Sequence, residues 1–213
     1  MSPTVFVLPL LVVLWIAYER RRTDRIREEA TERFWEKEQR ANLTRKKDIS
    51  ALDYIEVPVD TLPFPETGKE EITDMQKLLL HLSAQKIVNF TGLTNTELKL
   101  QYGAPNLNLL MEFDKNYLEL VRTLYRYGKQ LHELGLVEEA KTVLEYGLSI
   151  KTDVSANYTL LAEIYKAENA KERIDFVISE AENLTSMTKK SLLANLMAIR
   201  DSAVSENELI NQP

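Results

Sequence analysis

The sequence predicts an all-α chain: an N-terminal transmembrane helix, a charged stalk helix, and then a small domain of paired helices. Three observations carry that expectation. Residues 3–18, PTVFVLPLLVVLWIAY, hold no charged side chain. Residues 19–47 are dense in Glu, Arg and Lys and contain neither Gly nor Pro. Beyond residue 69 the apolar positions follow a helical period, and residues 117–184 overlap themselves when shifted by 34 residues.

The first element is the anchor, residues 1–18. As a helix the uncharged run is roughly 24 Å long, a little short of a ~30 Å hydrocarbon core. Met1 and Ser2 extend it, Trp15 and Tyr18 suit an interface, and flanking arginines snorkel across the remaining mismatch. A cleaved signal peptide is the competing reading, but nothing basic precedes the run and no small-residue cleavage site follows it. A buried core helix is the other, and the run has no polar face for it. Arg20, Arg21, Arg22, Arg25 and Arg27 all follow the span, while no Lys or Arg precedes it. The positive-inside rule then puts the N-terminus outside and the C-terminal domain in the cytoplasm.

Residues 19–47 continue as a juxtamembrane stalk helix, with Arg25 near Glu28 and Glu29 near Arg33 at helical spacing. Phe34 and Trp35 are isolated aromatics within it. Residues 48–68 break the helix, because Pro58, Pro63, Pro65 and Gly68 exclude it. Ile55, Val57 and Val59 alternate along this linker as in an extended segment lying on a surface. It either docks on its own helical domain or acts as a peptide-recognition strand.

Residues 69–203 form the helical domain. Ile72, Met75, Leu79, Leu82 and Ile87 make its first stripe, with Thr67 as a cap. Thr94 and Glu97 form a capping box, Gly103 closes that short helix, and Pro105 opens the next. A last helix near 188–203 presents Leu192, Leu193, Leu196 and Ile199 on one face, and residues 204–213 are expected to form a disordered tail.

At the 34-residue offset Gly128 aligns with Ala162, Leu124 with Tyr158, Tyr127 with Leu161 and Leu131 with Tyr165. Leu144 aligns with Ile178 and Gly147 with Ala181, and Ala140 is the small residue twelve after Gly128. This pattern resembles two tetratricopeptide (TPR) units, at about 121–154 and 155–184. Ile174 and Thr152 depart from it, standing where a small residue and a proline are usual. Repeats cannot bury their apolar faces singly, so the flanking helices are expected to cap them. The wider layout of anchor, stalk and small repeat domain resembles single-pass bacterial membrane proteins.

Composition narrows the function. The net charge is −6, but residues 1–47 carry eleven Lys/Arg against seven Asp/Glu, so the remainder is near −10. An acidic domain argues against nucleic acid as a partner. Cysteine is absent, which excludes disulfides and thiol chemistry, and His81 and His132 are the only histidines, in no metal-ligand spacing. Glu138 and Glu139 are adjacent on a helix and point apart. No phosphate-cradling loop or nucleophile elbow occurs, so no catalytic residue, metal or cofactor is expected. The TPR resemblance implies instead a scaffold that binds a protein or peptide through its first helices. The implied groove residues are Arg122, Tyr125 and Lys129 from one unit, and Thr159, Glu163 and Lys166 from the next. Basic and aromatic members suit an acidic or C-terminal peptide. The alternative is a non-catalytic assembly or regulatory subunit of a membrane complex, its groove filled by the chain's own residues 49–68; an enzyme of unknown class is the further alternative.

Overall fold

Helix α1, Thr4–Asn42, is a single run of 39 residues in the computed structural model, which describes the backbone of residues 4–210 and the side chains of residues 15–202. All the side chains from Arg20 to Lys37 are exposed, as mixed charge without a periodic apolar stripe requires. Phe34 and Trp35 touch each other edge to face at 5.4 Å between centroids. Among the described residues no helix is long and apolar enough to cross a membrane. The expected anchor falls mostly on side chains outside the described set.

The chain divides into two compact units, of which residues 1–49 with 94–107 form one. Its second helix, numbered α3 in chain order, is Asn95–Tyr102. Thr94 caps it reciprocally with Glu97: the Thr94 hydroxyl accepts from the Glu97 amide at 3.3 Å, and the Glu97 carboxylate accepts from the Thr94 amide at 2.9 Å. Helix α3 packs on α1 largely through polar groups. Thr96 and Lys99 both donate to Glu38, Lys99 also donates to Asn42 at 2.7 Å, and Ala41 and Leu98 are the apolar residues buried there. The hydrogen bonds from Lys99 and Thr96 hold the Glu38 carboxyl below its ordinary range. Gly103 ends α3 at φ +93°, a short 3-10 turn, Ala104–Asn106, follows, and the segment after α1 is clamped on both. The Lys47 amide donates to Tyr102 O at 3.1 Å, Ala104 N to Thr44 O at 3.1 Å, and Asn106 Nδ2 to Lys47 O at 2.8 Å. Apolar periodicity groups residues 94–103 with the 69–203 domain; complementary charge instead pairs them with the end of α1.

The second unit comprises residues 50–93 and 108–213. Its helices are α2 (Glu70–Ser83), α4 (Leu107–Glu133), α5 (Val137–Ser149), α6 (Ser155–Ala167), α7 (Lys171–Glu182) and α8 (Lys189–Ile210). Lys69, not Thr67, precedes α2 as its N-cap residue, and no side chain caps that end. From α5 onward the helices stack in order: α5 on α6, α6 on α7, and both α6 and α7 on α8. The starts of α5 and α7 are 34 residues apart, as are those of α6 and α8. The turns inside the two helix pairs also coincide at that offset. Gly135 and Asn169 both take positive φ, +78° and +57°, and glycine and asparagine are the residues that tolerate it. Leu136 N donates to Leu131 O at 3.0 Å, and Ala170 N donates to Tyr165 O at 2.9 Å.

The core alternates aromatic and aliphatic residues at equivalent places. Tyr117, Tyr127, Tyr158 and Tyr165 are its largest fully buried side chains, packed with Leu124, Leu131, Leu144, Leu161 and Leu196. Helices α4 and α5 approach closely at Gly128, where a Cβ would lie 2.9 Å from the Leu144 side chain. Asn157, 1% exposed, donates to Leu144 O at 3.0 Å, and Gly147 leaves the space its amide fills. Helix α8 continues to Ile210, past the expected boundary at 203, because residues 204–210 contain no Gly or Pro.

The segment before α2 is part of this unit's core and more than a linker. Val57 and Leu62 are buried, and Phe64 stacks on Tyr127 at 6.4 Å. Its prolines contribute carbonyls, which need donors once covered. The Tyr127 hydroxyl donates to Pro63 O at 2.6 Å, Gln76 Nε2 to Pro65 O at 3.0 Å, and the Tyr146 hydroxyl to Glu56 O at 3.0 Å. Only one backbone bond resembles strand pairing, Ile55 N to Ile87 O at 2.9 Å, and no strand forms among the described residues.

Candidate partner-binding face

The six implied groove residues sit on α4 and α6, three on each. Arg122, Lys129 and Glu163 are exposed, and Tyr125, Thr159 and Lys166 are half-buried. Tyr125 packs against the core on one side. Lys129 faces Glu133 across 3.5 Å, an exposed helical pair that leaves both groups accessible. Thr159 returns its hydroxyl to Ser155 O at 3.2 Å and accepts from Asn195 of α8 at 3.2 Å, so the last helix borders this face. In the sequence α8 is legible only as a cap, since a terminal helix has no following repeat to supply its register. Residues 54–65 engage Gln76, Tyr127 and Tyr146.

Charged clusters elsewhere in this unit tie helices together. Lys141 bridges Glu138 at 2.9 Å and Glu168 at 2.8 Å. Tyr165 donates to Glu145, which also accepts from Arg173 at 2.5 Å, and the Arg173 guanidinium lies 5.2 Å from the Tyr165 ring centroid. These contacts join α5, α6 and α7 and account for the carboxylates they use.

A polar cleft of about 470 Å³ opens beside the α5–α6 turn, lined among others by Asp53, Asn89, Lys151, Asp153 and Thr185. Two of its lining residues are tied by Tyr117, whose hydroxyl donates to Lys151 O at 2.8 Å and accepts from Asn89 Nδ2 at 2.9 Å. That grip accompanies a left-handed backbone at Lys151, φ +59°. Asp114 accepts from the Phe90 amide at 3.3 Å, and burial raises its carboxyl above the ordinary value. Burial likewise raises the Tyr117 and Tyr158 phenols, and pushes Tyr146 up to about 12. All three are neutral hydrogen-bond donors at physiological pH. Among the described residues no three His, Asp or Glu side chains are grouped to hold a metal ion. His132 is half-buried, Glu138 is committed to Lys141, and neither is brought against the other by a hydrogen bond.

Compared with known proteins, the chain matches no family model, no curated protein and no solved structure.

Proposed function

We propose that this chain is a bacterial, membrane-anchored adaptor whose α4–α6–α8 face binds a protein or peptide partner, without catalysis. The observation that carries the reading is the accessibility of Arg122 and Lys129 on α4 and of Glu163 on α6, while the 54–65 segment is fastened to Tyr127 and Tyr146. The 34-residue recurrence of helix starts and turns supports a TPR-like domain. TPR-like domains use this kind of face for extended or helical peptides. With two bases and Tyr125 on α4, an acidic peptide is the complementary ligand.

The test is a charge reversal in the full chain. Arg122→Glu with Lys129→Glu is expected to reduce recovery of its specific partner from gently solubilised membranes by about tenfold or more. The melting temperature stays within about 2 °C, because exposed pairs contribute little to stability. Equal recovery by both proteins would place the binding face elsewhere.

The membrane reading rests on the uncharged run 3–18 and the five arginines that follow. It puts the N-terminus outside and the C-terminal domain in the cytoplasm. Reporters fused to the C-terminus are expected to be active only when they work in the cytoplasm. Activity of an export-dependent reporter would reverse the orientation.

A further inference from the structure

Arg20, Arg21, Arg22, Arg25 and Arg27 are all exposed on α1. Among the described residues just one has a carboxylate partner, Arg22 with Glu19 at 3.5 Å. Asp24 is the single acid between Arg20 and Arg27, and the next ones, Glu28 and Glu29, begin farther from the apolar run. Their distribution around the helix matters as much as their number. At roughly 100° per residue, Arg21, Arg25 and Arg22 stand about 100°, 140° and 200° around from Arg20, and Arg27 returns to within about 20° of it. They therefore form an open ring over about 220° of the circumference within an axial rise of about 10 Å, the remaining sector holding Glu19, Thr23 and Ile26. A helix lying flat on a membrane would collect its cations on one face. A spread this broad at this height instead suits a helix that passes upright through the headgroup layer, meeting phosphates over most of its circumference. Trp15 and Tyr18, 65% and 63% exposed, stand immediately above it, where amphipathic rings settle at an interface.

We infer that this open arginine ring is a binding site for anionic phospholipid headgroups, held by guanidinium–phosphate contacts over most of the circumference of α1. The inference rests on the membrane-anchored reading above. Arginine suits it, because its planar donor fork engages two phosphate oxygens at once and keeps its charge at any physiological pH.

The chain has two tryptophans, so Trp35→Phe in the full-length protein leaves Trp15 as the only one, a few residues from the ring. Reconstituted in vesicles, its fluorescence is quenched by brominated lipids in contact with that part of the helix. Brominated phosphatidylglycerol is expected to be preferred over brominated phosphatidylcholine by about fivefold or more at low salt, with the preference shrinking as salt rises. Replacing the five arginines by Gln, which preserves helix propensity, is expected to bring the ratio to about one. Equal quenching by the two lipids in the parent overturns the headgroup site and leaves the anchor standing. A preference that survives the Gln replacement overturns its assignment to the ring. Absence of quenching by either lipid overturns the anchor and this inference with it.

Discussion

Gly103→Ala is expected to unfasten the segment after α1 from the end of α3 while leaving the second unit folded. A Cβ built at Gly103 lies 2.2 Å from the Arg45 carbonyl oxygen and 2.8 Å from Lys46 Cα. Both obstacles are backbone, so no rotamer change relieves them. The φ of +93° adds strain for any residue with a side chain. Displacing residues 44–47 breaks the bonds joining Ala104 to Thr44, Lys47 to Tyr102 and Asn106 to Lys47. Together these give a local loss of about 3 kcal/mol or more. The measurement is amide hydrogen exchange. Protection of the Lys47 and Ala104 amides should fall about a hundredfold, with α5 and α6 unchanged. Gly68→Ala is the comparison: φ is +68° there, but no atom lies within 4 Å of the added carbon. Strain alone then costs about 1 kcal/mol. Parent-like protection in Gly103→Ala would mean that the close approach to Arg45 does not exist in solution.

What the sequence makes legible follows from which physical signals are local. Helical periods need only neighbouring residues, so α2 and α4–α8 are readable, as is the Thr94–Glu97 box, whose partners are three residues apart. The Gly128–Ala162 offset is readable because close helix approach demands small side chains and leaves few choices. Pairing of α3 with α1 is different. It depends on Lys99 and Thr96 finding Glu38 about sixty residues away, among many equally charged alternatives. The role of residues 54–65 is hidden for a similar reason. Prolines announce the absence of a helix, whereas the side chains that donate to their carbonyls, Tyr127 and Gln76, carry no pattern of their own. The six face residues have no internal signature either. Exposed Arg, Lys and Glu occur on every surface helix, and only the TPR resemblance singles them out. Starting a fragment at Lys69, the boundary that periodicity suggests, would strip Val57, Leu62 and Phe64 from the core, so stability is best measured on the whole chain.

Ala162→Leu is the substitution with the largest expected effect on the second unit. Ala162 is 0% exposed on α6, a helix packed against α5, α7 and α8. A leucine adds three carbons where close packing leaves no void, so the helices must separate or the side chain must take a strained rotamer. Overpacking of this kind costs about 1–3 kcal/mol, and the three-sided contact of α6 puts this site at the upper end. In a domain of this size that lowers the melting temperature by several degrees, read from the helical circular-dichroism signal of the full chain in detergent. Glu163→Leu places the same side chain one residue along, on the exposed face of the same helix. Rotation by roughly 100° takes it out of the packed interior, and leucine is a slightly better helix former than glutamate, so its melting temperature should stay within about 2 °C of the parent. The pair separates burial from helix propensity, because both variants carry a leucine in the middle of α6. If the two melt alike, α6 is rotated from the orientation described, and Thr159, Glu163 and Lys166 lose their place on the binding face.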